Sequence, residues 1–174
     1  MSDLPQGIDL PRHRDFEGKQ AGQWLRHGFL LLLTLFIVAA LFNVFGAEPA
    51  TEEAGAAAAT LKVTAPERVR GGLLYQARLQ IHANEAIGAP TLAFDKGWIE
   101  ETTINTVQPE PAETTTDSRH LKIRYPPLPP GRTLNVYIAL QANPNDVGSH
   151  NADVALYDAD EEIASVDRTQ VNFP

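Results

Sequence analysis

Residues 73–83 read Leu73-Leu74-Tyr75-Gln76-Ala77-Arg78-Leu79-Gln80-Ile81-His82-Ala83. Leu73, Tyr75, Ala77, Leu79, Ile81 and Ala83 alternate with Gln76, Arg78, Gln80 and His82. Successive side chains of a strand point to opposite faces, so this period of two describes one buried and one solvated face. The same alternation recurs in Thr133–Ala142, which turns Leu134, Val136, Ile138, Leu140 and Ala142 inward. It returns in Asn151–Asp158 with Ala152, Val154 and Leu156. Shorter strands are predicted at Leu61–Ala65, Thr91–Phe94, Thr102–Val107, Leu121–Tyr125, Ile163–Val166 and Thr169–Phe173. Ile163 and Val166 are out of phase with one another, which predicts a bulge or break between them.

Turn chemistry separates these runs: Arg70-Gly71-Gly72, Gly88-Ala89-Pro90, Asp95-Lys96-Gly97, Pro129-Pro130-Gly131 and Asn143-Pro144-Asn145-Asp146. Short strands with such punctuation over residues 61–174 predict a mainly β fold, an antiparallel immunoglobulin-like β-sandwich, with a small barrel as the alternative. Cysteine is absent, so no disulfide crosses the sandwich and no thiolate nucleophile, thiolate zinc site or iron–sulfur cluster is available.

Upstream, residues 28–47 (GFLLLLTLFIVAALFNVFGA) contain no charge, and only Thr34 and Asn43 are polar. At 1.5 Å per residue this run spans about 30 Å, the thickness of a bilayer's hydrocarbon core. It is too long for the apolar region of a cleaved signal peptide, so the reading is an uncleaved single-pass transmembrane helix. Arg12, Arg14, Lys19 and Arg26 precede it, whereas Glu48, Glu52 and Glu53 follow it. The excess of basic residues on the near side places the N-terminus in the cytoplasm and the C-terminal part outside the plasma membrane. The expected organisation is a cytoplasmic tail (1–27), the span (28–47), an Ala/Glu-rich flexible linker (48–60) and an extracytoplasmic β-sandwich (61–174).

The chain of 174 residues carries a net charge of −8. Residues 1–27 hold four basic and four acidic residues, which leaves 10 basic and 18 acidic residues beyond the span. That balance argues against nucleic acid as a partner and against an outer domain lying flat on anionic lipid. The signatures of nucleotide binding, of α/β-hydrolases and of helical zinc sites are all missing. His82, His120 and His150 fall on different segments, and no cofactor is expected. Asp158, Asp160 and Glu162 crowd one turn and are the candidates for calcium, without the spacing of an EF-hand loop. The segment Tyr125–Pro130 (YPPLPP) reads as a stiff connection between strands.

Two contact surfaces are expected. If residues 133–142 and 151–158 form a hairpin, Tyr137, Tyr157, Ala139 and Ala155 share its wet face as a low-charge aromatic strip, a partner-binding candidate. In the span, Ala39, Asn43 and Gly46 at i, i+4 and i+7 share one helix face, a candidate helix contact.

The runs Ala65–Gln76, Gly97-Trp98, Thr103-Ile104-Asn105-Thr106, Gln141–Pro144 with Val147-Gly148, and Asp167-Arg168-Thr169 together resemble a family of small single-pass membrane-anchored proteins. That family is typical of high-GC Gram-positive bacteria and has a β-rich extracytoplasmic domain. The resemblance covers nearly the whole chain. It implies an accessory role beside a multi-pass membrane protein and transfers no catalytic residue. The family pattern places Asp-Gly in the last hairpin, where this chain has Asp158-Ala159-Asp160. The sequence thus predicts a membrane-anchored binding module rather than an enzyme, a partner of a membrane or envelope protein, with a ligand- or calcium-binding sensor as the alternative. Its homo-oligomeric state is left open.

Overall fold

The computed structural model describes residues 20–42 and 48–174. They fall into two units, an N-terminal helix and a β domain. Helix α1 is Gln20–Leu41, and its apolar side chains are exposed all round. It starts eight residues earlier than the apolar run, so Trp24 and Arg26 belong to the helix rather than to a tail. Residues 22–41 are long and apolar enough to cross a membrane, the one such helix among the described residues. Within it, the Thr34 hydroxyl donates to the carbonyl of Leu30 at 2.8 Å, so its polar group is satisfied inside the helix.

The β domain contains β1 (Pro49–Gly55), β2 (Ala59–Pro66), β3 (Arg68–Arg70), β4 (Leu74–Ala83), β5 (Pro90–Phe94), the one-turn helix α2 (Gly97–Glu100), β6 (Thr102–Gln108), β7 (Glu113–Thr116), β8 (Leu121–Arg124), β9 (Thr133–Ala142), β10 (Gly148–Asn151), β11 (Val154–Asp158), β12 (Glu161–Val166) and β13 (Thr169–Phe173). They build a first sheet in the order β1-β2-β4-β9-β6 and a second in the order β12-β11-β5-β8-β7. A small third sheet runs β10-β13-β3. Every pairing is antiparallel except β13 with β3. Leu61, Val63, Leu79, Ile81, Val136, Ile138 and Leu140 of the first sheet form one core with Leu92, Phe94, Ile123, Val154 and Leu156 of the second. The architecture is a mainly β sandwich of immunoglobulin-like type, as the alternation predicts.

Three expectations are corrected. Residues 48–60 are not a flexible linker, because β1 pairs with β2 along its whole length, from Pro49 opposite Pro66 to Gly55 opposite Thr60. Its Ala/Glu composition has low strand propensity, but the open edge of β2 supplies main-chain partners, which composition does not register. Residues 133–142 and 151–158 do not form a hairpin. Both edges of β9 are taken, by β4 and β6, while β11 lies between β5 and β12 in the opposite sheet. Burying Val154 and Leu156 requires only that they face the core, and either sheet provides that. Leu73 lies outside β4 and is exposed, so the inward series starts at Tyr75.

The predicted irregularity at Ile163 is present. Leu156 pairs with Ala164 and Tyr157 with Glu162, which leaves Ile163 as the extra residue of a bulge. The YPPLPP segment is a pinned connection, with Leu128 and Ile87 exchanging main-chain hydrogen bonds at 2.9 and 3.0 Å.

Candidate binding face

The two outer faces of the sandwich differ in how far they satisfy themselves. On the first sheet, Arg78 and Gln80 both donate to the side-chain oxygen of Asn135, at 3.2 and 2.7 Å. His82 bonds to the Thr133 hydroxyl at 2.9 Å, and the hydroxyls of Thr51 and Thr64 meet at 2.9 Å. The Arg78 guanidinium covers the Tyr137 ring at 5.6 Å. Cross-strand pairs of this kind hold the polar side chains of this face to one another.

The second sheet presents two rungs outward. Its pairing register aligns Ser165, Ala155, Ala93, Lys122 and Thr115 in one rung. Glu162, Tyr157, Thr91, Arg124 and Glu113 form the other. Alanines stand opposite one another at 155 and 93, so the centre of the face is low. Tyr157 rises beside it, and a concave trough results, with one cavity of about 300 Å³ and a second of about 290 Å³. Both are lined by Ala93, His120 and Tyr157, so they are parts of one depression.

Charge divides across this face. Arg124 is paired with Glu113 at 2.8 Å and Lys122 with Asp117 at 3.6 Å. Asp117 also accepts the backbone N–H groups of Arg119 and His120, and these hold its carboxyl below the usual range. On the other side, Asp95, Asp153 and Glu162 line the second cavity. The Tyr157 hydroxyl donates to Glu162 at 3.0 Å. Partial burial, then the hydrogen bond and charge of Glu162, push the Tyr157 phenol up. This ring stays neutral and keeps its amphipathic character at neutral pH.

The site residues expected from the sequence are therefore divided. Tyr157 and Ala155 lie on the second sheet's outer face. Tyr137 and Ala139 lie in β9, paired with Arg78 and Gln76 of the first sheet, and do not join them. Of the proposed helix contact, Ala39 is in α1, while Asn43 and Gly46 lie outside the described residues. In the acidic turn, two of the three candidate carboxylates have partners within the fold. Asp158 accepts the backbone N–H groups of Ala89 and Gly88 at 2.7 and 3.2 Å, and Glu162 is engaged by Tyr157. Among the described residues no three acidic, histidine or cysteine side chains are grouped to hold an ion. Thr91, Ala93, Lys122 and Arg124 were missed by the sequence reading, because only strand order reveals that β5 lies beside β11 and β8 beside β5.

Trp98, Arg168 and Tyr75 serve as packing and hydrogen-bonding anchors inside the domain. Trp98 is buried, touches Phe94 edge-on with ring centroids 5.5 Å apart, and donates its indole N–H to the carbonyl of Ala152 at 2.9 Å. Arg168 lies 5.9 Å from the Trp98 ring and donates to the carboxylate of Glu52 at 2.8 Å. It also donates to the carbonyls of Ala65 and Pro66 at 3.0 and 3.4 Å. Tyr75 donates to Gln170 at 3.0 Å, and burial raises its phenol pKa. None of these contacts assembles a nucleophile with a base.

No protein-family model and no curated protein matches the chain. Among solved structures, it is similar to the solution structure of CaCohA2 from Clostridium acetobutylicum, with a TM-score of 0.42 and 12% identity over 60% of this chain and 86% of that one. It is similar also to a non-cellulosomal cohesin from the hyperthermophilic archaeon Archaeoglobus fulgidus, with a TM-score of 0.41 and 13% identity over 71% of this chain and 91% of that one.

Proposed function

We propose that this chain is a membrane-anchored extracytoplasmic binding module. It acts by docking rather than by catalysis, and it holds another membrane or envelope protein through the outer face of the second sheet. The observation that carries this reading is the contrast between the two outer faces. The first is held by cross-strand hydrogen bonds, and its cavity of about 360 Å³ is lined by polar side chains alone (Glu53, Thr60, Lys62, Gln80, His82 and Thr133), whereas the other is a trough with a floor of alanines and a tyrosine wall. A tyrosine beside small residues offers a large contact area, few rotatable bonds and a polar tip, the properties of an interface anchor. The apolar helix supports the anchored state, and the basic residues before it support the outward orientation of the domain.

The test is recovery of proteins that co-purify with the full-length chain from gently solubilised native membranes. Truncating an interface anchor costs about 2 kcal/mol or more, roughly thirtyfold in affinity. Tyr157→Ala is therefore expected to reduce recovery of the partner strongly, and Tyr137→Ala to leave it intact. Equal recovery for both variants would remove the second-sheet face as the docking surface.

A further inference from the structure

We infer that the end of the β domain carrying Leu73, Leu74, Val147 and Phe173 rests in the headgroup region of the bilayer, so that the sandwich stands upright on the membrane. The inference rests on the anchored state proposed above and adds which part of the domain meets lipid.

Among the described residues, these four are the only exposed large hydrophobic side chains of the β domain, from 40% at Leu73 to 65% at Leu74. They are far apart in sequence and meet at one end of the strands. Leu74 pairs with Gln141 near the end of β9, and the Leu73 carbonyl accepts from Ala142 at 3.1 Å. Gly71, two residues before Leu73, donates to the carbonyl of Phe173 at 2.7 Å. Phe173 follows Asn172, whose partner across the ladder is Gly148, the residue after Val147. A Cβ at Gly71 would stand 3.0 Å from the Pro144 Cα and 3.4 Å from the Phe173 carbonyl oxygen, so these turns are packed together. Single exposed apolar residues are ordinary on a protein surface, whereas their collection at one place marks a contact surface.

What covers this end follows from where the chain enters the domain. β1 starts at Pro49, opposite Pro66 at the end of β2. Thr64 pairs with Arg78, so β2 runs past it toward the start of β4. The point of entry and the four apolar side chains therefore share one end of the sandwich. Only Glu48 separates the uncharged run 28–47 from β1. Measured from Leu41, the last residue of α1, residues 42–48 reach at most about 25 Å when fully extended. A domain tethered this closely, and at its apolar end, has the bilayer that holds its own helix as its nearest apolar neighbour.

Charge neither drives nor forbids the contact. Arg68 and Arg70 are exposed on β3 at this end, with Arg70 beside Phe173 in register, and Glu48, Glu67 and Asp146 offset them. The contact draws instead on apolar area, and the long basic side chains reach headgroups while their methylenes stay against apolar neighbours. It thus differs from flat adsorption of an acid-rich domain on anionic lipid, and zwitterionic lipid suffices for it. With strand ends toward the membrane, the outer faces of both sheets turn sideways. The docking face of the second sheet is then presented to a neighbour in the same membrane.

The chain has no cysteine, so a single introduced one carries a single fluorophore. The full-length chain, one copy per phosphatidylcholine nanodisc, is labelled at Asn145→Cys beside Val147, at Glu85→Cys beyond the far end of β4, or at Leu33→Cys within α1. Lipids bearing a nitroxide at the headgroup or at mid-chain report depth by quenching. The headgroup nitroxide is expected to remove at least half of the emission at position 145, whatever the salt concentration, and to leave position 85 untouched. The mid-chain nitroxide is expected to quench position 33. Leu74→Gln with Val147→Gln, both at exposed positions, is expected to weaken quenching at 145 at least threefold and to leave that at 33 unchanged. Position 145 quenched no more than position 85, with 33 still quenched, would overturn the inference and keep the anchor. Quenching at 145 that survives the double variant, or that added salt abolishes, would overturn the apolar contact as well. Absence of quenching at 33 would remove the anchored state itself, and the inference with it.

Discussion

Ala159 holds φ at 55° in the two-residue turn between Asp158 and Glu161, the one non-glycine residue with positive φ among the described residues. A Cβ in the left-handed region costs about 1–2 kcal/mol, and glycine avoids that penalty at some cost in unfolded-chain entropy. Ala159→Gly is therefore expected to raise stability by about 1 kcal/mol in chemical denaturation. Unchanged or lower stability would contradict the strained turn. The sequence exposes this position through the absent Asp-Gly pair, yet it does not reveal why Asp158 stands beside it. That carboxylate accepts two backbone amides from the β4–β5 connection, a contact across 69 and 70 residues of sequence. Its role is local structure, and a list of neighbouring acids does not distinguish that from an ion site. Tyr125 shows the same limit in the core. Burial pushes its phenol up to about 12, and its hydroxyl has no partner, although alternation alone marks it simply as inward.

At the scale of elements, β1 is the segment whose structure depends most on a single distant residue. Its strand propensity is poor, and beyond the ladder to β2 it is held by the Glu52–Arg168 pair. The buried guanidinium also serves the carbonyls of Ala65 and Pro66, so it ties β1 to the end of β2. Removing one member of a buried ion pair strands the other and costs about 3–5 kcal/mol. Glu52 remains partly exposed, which places Arg168→Met nearer the lower end, about 3 kcal/mol. Hydrogen exchange of the β1 amides is expected to accelerate more than that of the β4 amides in this variant. Parallel acceleration in both strands would show that Arg168 supports the domain generally rather than docking β1. Strands with strict alternation, such as 74–83 and 133–142, were legible because the hydrophobic pattern itself fixes them. β1, β3, β7 and β10 were not. They are short or polar edge segments, defined by main-chain partners that lie far away in sequence. The misread hairpin has the same origin, since periodicity tells which face of a strand is buried and not which strand lies beside it.

For the whole molecule, sandwich architecture, apolar helix and the excess of acidic residues in the β domain follow from composition and period. The proposed docking face does not, because it is made by strand order. β5, β8 and the β11–β12 hairpin come from separate parts of the chain, and only their pairing brings Ala93 opposite Ala155 and Tyr157 beside Thr91. The functional reading depends on that assembly and on which outer face another protein covers. It is tested most directly by incorporating a photoreactive amino acid at single exposed positions of the full-length chain in living cells. Ser165 lies in a rung of the second sheet's outer face, and Gln76 lies on the outer face of the first. Illumination is expected to give a discrete higher-mass adduct from position 165 and none from position 76. Adducts from position 76 alone, or from neither position, would contradict docking through the second sheet.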